Sequence, residues 1–223
     1  MATGAHIAMP TEAQILTLAQ WFSPGFPVGA FAYSHGLEWA VESGAVQDAS
    51  GVEQWIADVL RHGAGWNDAL FVAAGFEADT ALGAREVDGM CRAFAASGER
   101  LKESDLQGRA FCDTVAAVWA TELDGLCYPV AVGRAARLES LPVRLCTQMF
   151  LQAFLSNLVA AAQRLLPIGQ TRGQEMIRAL TPVASEIAIA AQGAGLGALS
   201  STAFHADIAS MKHETQYSRM FRT

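Results

Sequence analysis

No proline occurs between Pro27 and Pro129, and this long interval decides the fold class. Proline breaks the interior of helices and of central strands, so its absence leaves the interval open to regular structure. Alanine, leucine and glutamate are abundant there, and the apolar residues recur at helical rather than alternating spacing. Alternating runs of β-branched and polar residues are missing, as is a strand-helix-strand rhythm. The pattern therefore predicts an all-α protein.

The helical pattern predicts one domain, residues 1–223, built as a bundle of about nine or ten helices. Ser50 and Glu53 form a capping box that predicts the start of one helix. Pro142 predicts the first residue of another, and the Leu-Pro-x-Gly sequence at 166–169 predicts its end. The other helices are expected near 11–22, 34–43, 67–82, 86–97, 104–120, 130–139, 173–192 and 200–213. We find no linker, repeat or low-complexity run that would divide the chain.

The composition is that of a protein with a large core, since 52% of the residues are hydrophobic and 17% are charged. Acidic residues outnumber basic ones by 22 to 15, the net charge is −7, and only two residues are lysine. Such a chain lacks the basic surface that attracts phosphate backbones. We expect no nucleic-acid partner.

The four cysteines do not form a metal or disulfide motif. They are separated by fifteen to twenty-one residues, and they stand at Cys91, Cys112, Cys127 and Cys146. Buried, reduced thiols of a cytosolic protein fit this spacing better than a zinc knuckle does. The first ten residues lack the basic start and the apolar run of a secretory signal, so we expect a cytoplasmic location.

Neither the histidines nor the glycine-rich run at 193–197 predicts a cofactor site. No two of the five histidines lie four residues apart, as a preformed metal site on one helix would prefer. His205 and His213 are eight apart, which separates them by about 12 Å along a helix, too far for one ion. The glycine run lacks the Gly-Lys-Ser/Thr ending of a phosphate loop. We expect no stably bound cofactor and no unaided nucleotide hydrolysis.

One segment is near the length of a membrane span, because Leu145 to Gln163 is nineteen residues without a charge. Polar side chains recur along it every four residues, at Gln148, Gln152 and Ser156, and draw a stripe down one side of a helix. The stripe favours the core helix of a soluble protein over a membrane span. We expect no membrane partner.

A loop rich in proline and glycine is expected at Ser23 to Phe31, which reads SPGFPVGAF between two helical stretches. It cannot be helical throughout, since each proline removes an amide donor and restricts the residue before it. One interpretation is a rigid exposed turn that carries Phe26 and Phe31 as a binding loop. The other is a simple connection between two helices.

The sequence Ala32-Tyr33-Ser34-His35-Gly36 is one residue short of the Gly-x-Ser-x-Gly nucleophile elbow. A serine hydrolase that uses Ser34 is therefore the alternative hypothesis for function. An elbow needs a strand to deliver the serine to a strained turn, and here a proline-broken loop precedes it. The context favours Ser34 as the N-cap or a first-turn residue of a helix.

The tail, defined as residues 207–223, has the pattern of a docking segment. Apolar residues three or four apart would share one face of a helix, and these are Ile208 and Met211, then Tyr217, Met220 and Phe221. The charged residues around them are Lys212, Arg219, Arg222 and the single acid Glu214. The tail therefore opposes the acidic charge of its own body. It is either a last helix packed on its own domain or a segment that stays loose until bound.

Three long motifs stand at the start, centre and end of the chain. They are S-P-x-x-P-x-G-x-F-x-x-S-x-G-L-E at Ser23 to Glu38, S-N-L-V-x-A-A-x-R-L-x-P-x-G-Q-T-x-G-Q at Ser156 to Gln174, and M-K-H-E-T-Q-Y-S-R-M-F-R near the end. Together they resemble the urease accessory protein family UreF. The resemblance covers essentially the whole chain, although residues 66–125 match mainly in helical character. Met220 stands where leucine is common in the family, and Thr223 where serine is common.

The resemblance implies an all-α protein without chemistry of its own that dimerises and joins a second accessory protein, UreD or UreH, on apo-urease. It also implies recruitment of the GTPase UreG, which carries nickel, and coupling of GTP hydrolysis to nickel insertion. Nickel would pass through the assembled complex and would not be stably bound here. Contact with UreD/UreH is implied for part of the loop and most of the tail. The expected contact residues are Pro24, Phe26, Phe31, Met211, Lys212, His213, Glu214, Gln216, Tyr217, Ser218, Arg219, Met220, Phe221 and Arg222.

Two segments are expected to be mobile in the free protein, residues 1–10 and the tail. We expect the tail to fold as it docks and to bury its apolar side chains against the partner. Its basic residues would then meet an acidic partner surface.

Overall fold

The fold is all-α, and this confirms the prediction from helical spacing. The computed structural model describes residues 9–222, and within them the chain forms ten α-helices and two short 3-10 helices, with no strand. Residues 1–8, most of the N-terminal segment expected to be mobile, lie outside the described residues, as does Thr223.

Short connections join most of the helices in chain order. The α-helices are α1 (Glu12–Trp21), α2 (Leu37–Glu42), α3 (Ala49–His62), α4 (Ala64–Glu77), α5 (Ala81–Ala93), α6 (Gly98–Trp119), α7 (Tyr128–Leu138), α8 (Val143–Leu165), α9 (Gln170–Ala190) and α10 (Phe204–His213). The 3-10 helices are Ala30–Ala32 and Leu196–Ala198.

The start of α3 differs from the prediction. The carboxylate of Asp48, and not the hydroxyl of Ser50, caps the helix and accepts the amide N–H of Gly51 at 2.9 Å. The predicted capping box of Ser50 and Glu53 is therefore wrong. Asp and Ser cap helices about equally well, so the earlier of two good capping residues takes the role.

The start of α6 also differs, since the helix begins at Gly98 and not near 104. Ser97 caps it, because the Ser97 hydroxyl accepts the amide N–H of Arg100 at 3.0 Å. Because the helix starts earlier, Glu99, Arg100 and Glu103 are helical residues.

Helix α8 lies at the centre of the molecule and packs against α1, α2, α3, α4, α7 and α9. By length and composition it is the one helix of the described residues that could cross a membrane, with a mean hydropathy of 1.4. However, 56% of its most apolar window is buried inside the protein. Part of its polar stripe is also used internally, because the Thr181 hydroxyl of α9 donates to Gln152 at 3.1 Å. α8 thus has the character of a soluble protein's core helix.

Helices α4 and α7 pack closely because glycines stand at their crossing. A Cβ atom on Gly133 of α7 would lie 2.1 Å from the carbonyl oxygen of Val72, and one on Gly75 of α4 would lie 2.7 Å from that of Val130. Any side chain there would push the helices apart. Close packing thus offsets the poor helix propensity of glycine.

All four cysteines are buried and none forms a disulfide, as the sequence predicted. Burial raises the pKa of the Cys112 thiol to about 11. A thiol with such a pKa is protonated and unreactive at neutral pH.

Candidate functional site

The tail meets two other parts of the chain at one place in the fold. α10 packs against α2 and α6. Residues 214–222, which we call the tail end, then pass beside α2 to the 3-10 helix at Ala30–Ala32. There the amide N–H of Arg222 donates to the carbonyl oxygen of Ala32 at 2.8 Å. The first and the last motif of the sequence therefore form one surface.

The tail end is not helical, so the predicted helix face of Tyr217, Met220 and Phe221 is wrong. α10 stops at His213, and turns and bends follow it. The Phe221 side chain is 4% exposed, whereas Met220 is 54% exposed and Tyr217 is fully exposed. The physical reason is that two backbone N–H groups of the tail end donate to a carboxylate of the body instead of to helical carbonyl groups.

That carboxylate belongs to Glu38, a buried residue in the first turn of α2. One of its oxygens accepts the amide N–H of Met220 at 2.6 Å. The other accepts the amide N–H of Phe221 at 2.9 Å and lies 3.0 Å from Nε2 of His213. Glu38 is thus the common acceptor for α10 and for the tail end. Hydrogen bonds to an ionised acceptor are stronger than those between neutral groups.

His213, at the end of α10, is completely buried between two carboxylates. Its Nδ1 atom lies 2.7 Å from Glu99, and its Nε2 atom faces Glu38. Arg219 also pairs with Glu99, at 2.6 Å. These four residues, Glu38, Glu99, His213 and Arg219, form a group that we call the tail cluster.

The close approach of α10 to α2 requires Gly36. Its φ is +76°, and a Cβ atom there would lie 2.6 Å from the backbone nitrogen of Ser210. The Ser210 hydroxyl in turn lies 2.7 Å from that of Ser97, and the carboxylate of Glu214 accepts the amide N–H of Gly98 at 2.8 Å. The tail therefore also satisfies free donors at the start of α6.

The loop rich in proline and glycine is only partly exposed, so an exposed Phe26 is a wrong expectation. The Phe26 ring is buried and packs against Phe111 and Trp119, with centroids 5.6 and 6.3 Å away. Phe31, by contrast, is 73% exposed, and Pro24 is exposed as well. Contact with the apolar core favours burial of the Phe26 ring, whereas the Phe31 ring stays in solvent.

Arg164, at the end of α8, joins this loop to the tail end. Its guanidinium donates to the carbonyl oxygen of Phe31 at 3.1 Å. The same group lies 4.3 Å from the centroid of the Phe221 ring, in cation–π geometry. Phe31 and the tail end are therefore neighbours.

The expected contact residues fall into three groups in the structure. Most are exposed, namely Pro24, Phe31, Met211, Lys212, Glu214, Tyr217, Ser218, Arg219, Met220 and Arg222. Gln216 is partly buried. Three are buried beneath the exposed residues, namely Phe26, His213 and Phe221.

Sequence reasoning missed the residues that position this surface, Glu38, Glu99 and Arg164. Glu38 ends the first motif, between the apolar residues Leu37 and Trp39, and an acid in such a position needs a buried partner. Glu99 lies before the predicted start of α6 near 104, so the prediction placed it outside the helix. Arg164 lies inside the central motif, and no local pattern marks it.

A second buried group of charges lies beside the first, and we call it the body cluster. It consists of His35, Asp68, Arg100 and Glu103. Arg100 contacts Asp68 at 2.5 Å and Glu103 at 3.3 Å, and His35 contacts Glu103 at 3.2 Å. The cluster ties α4 to α6 and to the segment before α2.

Burial and pairing shift the pKa values in the body cluster in different directions. Burial raises the pKa of Asp68 above its usual value. Burial alone would also raise the pKa of Glu103, but the charges of His35 and Arg100 outweigh it and hold that pKa below its usual value. Glu103 is therefore the ionised carboxylate that the cation needs.

The geometry does not support a nucleophile at Ser34. Its side chain is completely buried, and its hydroxyl oxygen accepts the amide N–H of Glu38 at 3.3 Å. Gly36 is the N-cap of α2, so the N-cap role expected for Ser34 is wrong. Ser34 also precedes the helix, so the other expectation, a first-turn residue, is wrong as well, although its hydroxyl accepts an amide N–H of the first turn.

Within residues 9–222, no group of three or more His, Cys, Asp and Glu side chains is arranged to hold a metal ion. His213 is engaged by the tail cluster, whereas His205 is exposed. His6 lies outside the described residues.

Comparisons with known proteins point to one family. The UreF family model matches residues 46–181. The urease accessory protein UreF of Ruegeria pomeroyi is 60% identical over 217 residues, which cover 97% of this chain and 100% of that protein. The urease accessory protein UreF of Ruegeria sp. strain TM1040 is 52% identical over 96% of this chain and 100% of its own length. That of Roseobacter denitrificans is 48% identical over 98% of each chain.

Proposed function

This chain belongs to the UreF family of urease accessory proteins, and from that membership we propose that it serves urease maturation as an adaptor without chemistry of its own. In this proposal it joins UreD/UreH on apo-urease and recruits the GTPase UreG. GTP hydrolysis by UreG is coupled to nickel insertion. The chain acts as a homodimer in the complex, and the complex works in the cytoplasm.

One observation carries the adaptor role, namely the surface formed by the tail end and the loop. Phe31, Tyr217 and Met220 are exposed large apolar side chains on a segment whose backbone is held to the body. Lys212 and Arg222 add exposed positive charge to the same region of an acidic chain. Exposed aromatic, methionine and arginine side chains are enriched at protein interfaces.

The partner for this surface is UreD/UreH. We place Tyr217, Met220 and Phe31 at the centre of the contact, where burial stabilises most. The tail end exchanges between a looser state and the body-bound state described above, and docking selects the latter. Because the body-bound contacts are made within the chain, most of the ordering cost is met before docking, and the apolar area that docking buries stabilises that state further.

UreG supplies the nucleotide chemistry and carries the nickel. The chain itself has no lysine between Lys102 and Lys212, so its glycine-rich run at 193–197 cannot act as a phosphate loop. Nickel is cargo in this scheme and passes through the assembled complex.

Co-purification with UreD/UreH, UreG and apo-urease tests the proposal, with urease activation as the second readout. Tyr217→Ala and Met220→Ala should each weaken capture of UreD/UreH by about thirtyfold, as interface hot spots do. Leu82→Ala is the matched control, because Leu82 is an exposed apolar residue on α5. Undiminished capture by both tail variants would overturn the docking role.

A further inference from the structure

We propose that Glu38 and His213 form a latch that fixes the conformation in which the tail end docks. Glu38 is then a positioning residue for partner binding, although the partner never touches it. This inference rests on the proposed function, since it assumes that the tail end docks on a partner protein.

Three nitrogen atoms converge on the carboxylate of Glu38. Glu38 receives the amide N–H groups of Met220 and Phe221, one on each oxygen, and the second oxygen also lies 3.0 Å from Nε2 of His213. A carboxylate has two acceptor oxygens, each with two lone pairs, and can make all three contacts. A glutamine has one acceptor oxygen, and its amide hydrogens would face a donor. The latch therefore needs the carboxylate, and not just a side chain of the same size.

The latch also controls the directions of the Met220 and Phe221 side chains. The latch holds the backbone on both sides of the Met220–Phe221 peptide, so it fixes which of the two side chains faces solvent. Met220 is 54% exposed, and Phe221 is buried under Arg164. With the amides released, neither side chain has a fixed direction. The latch thus decides which apolar side chain a partner meets.

The latch residues are packed against the body of the protein. Glu38 is in the first turn of α2, and α2 packs on the central helix α8. His213 is completely buried, and its other ring nitrogen is held by Glu99 of α6. The tail end is thus tied to two body helices through groups that are largely buried. Rigid support of this kind preorganises a docking segment.

Hydrogen exchange in the isolated full-length protein tests the latch directly. In the wild type, the amides of Met220 and Phe221 should exchange at least about tenfold more slowly than in an unstructured peptide. Glu38→Gln should remove that protection and leave the helices unchanged. Glu53→Gln is the matched control, because Glu53 pairs with Arg172 away from the tail. Retained protection in Glu38→Gln, or none in the wild type, would overturn the latch.

Binding to purified UreD/UreH separates positioning from a general structural defect. A latch defect lowers the fraction of competent molecules, so Glu38→Gln should raise the half-saturating concentration about tenfold. Urease activation should still reach the wild-type plateau when the partner saturates. Lost protection with unchanged affinity, or a lowered plateau, would overturn the positioning role. If the wild type did not bind UreD/UreH, the proposed function itself would be wrong.

Arg164→Met keeps the test decisive if Glu38→Gln does not fold. Arg164 is exposed, so its replacement leaves the core intact, yet it removes the group that covers Phe221. It should shift exchange of the Phe221 amide and the half-saturating concentration in the same direction, by a smaller factor. If it loosens the Phe221 amide without weakening binding, the latch has no part in docking.

Discussion

The body cluster and the tail cluster start from two residues three positions apart, His35 and Glu38, yet they join different parts of the molecule. Each contains two carboxylates, an arginine and a histidine, but His213 contacts both carboxylates of its cluster, whereas His35 contacts Glu103. The body cluster ties α4 to α6 inside the core. The tail cluster ties α2 and α6 to α10 and the tail end.

The two regions differ in what else holds the joined parts together. α4 and α6 also share in a large apolar core that includes Phe71 and Phe111. In the tail end, Phe221 is the one large apolar side chain that is buried. Breaking the body cluster therefore leaves a charge trapped in the core, whereas breaking the tail cluster lets a short segment detach. Similar side chains thus stabilise the core in the body cluster and fix the conformation of the tail end in the tail cluster.

Arg100→Met should cause the largest effect, a loss of about 3–5 kcal/mol in the free energy of unfolding. It leaves the buried carboxylates of Asp68 and Glu103 without their cation. Urea unfolding followed by circular dichroism measures the loss. Arg109→Met is the control, since the exposed pair of Arg109 with Asp105 should contribute less than about 1 kcal/mol. Equal effects of the two variants would erase the distinction between buried and exposed pairs.

Glu103→Gln should destabilise the protein by about 2 kcal/mol near neutral pH, because it unpairs buried groups. The folded pKa of Glu103 is lowered, so its contribution is fully present above the ordinary value of 4.5. The contribution is lost as the pH falls through the lower folded pKa. Unfolding of the wild type and the variant at several pH values checks this. A difference that grows on acidification would contradict the account.

Gly36→Ala should cost about 1–2 kcal/mol, because alanine is strained at positive φ. Its Cβ atom would also press on Ser210 and push α10 away from α2. Gly36 lies between His35 of the body cluster and Glu38 of the tail cluster. The variant should therefore weaken binding to UreD/UreH as well as lower the melting temperature. Gly89→Ala on α5 is the control, because a Cβ atom there meets nothing within 4 Å. Identical behaviour of both variants would show that the junction does not matter.

Salt should have the smallest effect, a several-fold weakening of partner binding as ionic strength rises, if Lys212 and Arg222 meet an acidic surface. Arg219 should contribute less, because it is already paired with Glu99. Titrations at several salt concentrations measure the slope, and Arg222→Ala should reduce it. Binding that is indifferent to salt would reject the acidic partner surface.

The helices could be predicted from the sequence because each depends on its own local pattern. The apolar spacing of α3 and α9 and the signals at the ends of α8 are contained in the segments themselves. One error occurred where two neighbouring residues competed for one role, as with Asp48 and Ser50 at the start of α3. A local pattern cannot rank such competitors.

The tail shows where local patterns fail. Its composition marked the right segment, but spacing alone suggested a helix face that includes Phe221. The decisive acceptor, Glu38, lies at the opposite end of the sequence, and no spacing rule connects the two. Phe26 and Phe31 show the same limit, since Phe26 is buried against the rings of Phe111 and Trp119, which are distant in the sequence.

The most direct test of the central claim is the binding of UreD/UreH by a chain that ends at Glu214. This truncation keeps α10, His213 and the cap on α6, and it removes only non-helical residues. We predict that binding is lost while the helical circular dichroism spectrum and the melting temperature stay nearly unchanged. Full binding by the truncated chain, or a global loss of helix, would contradict the account.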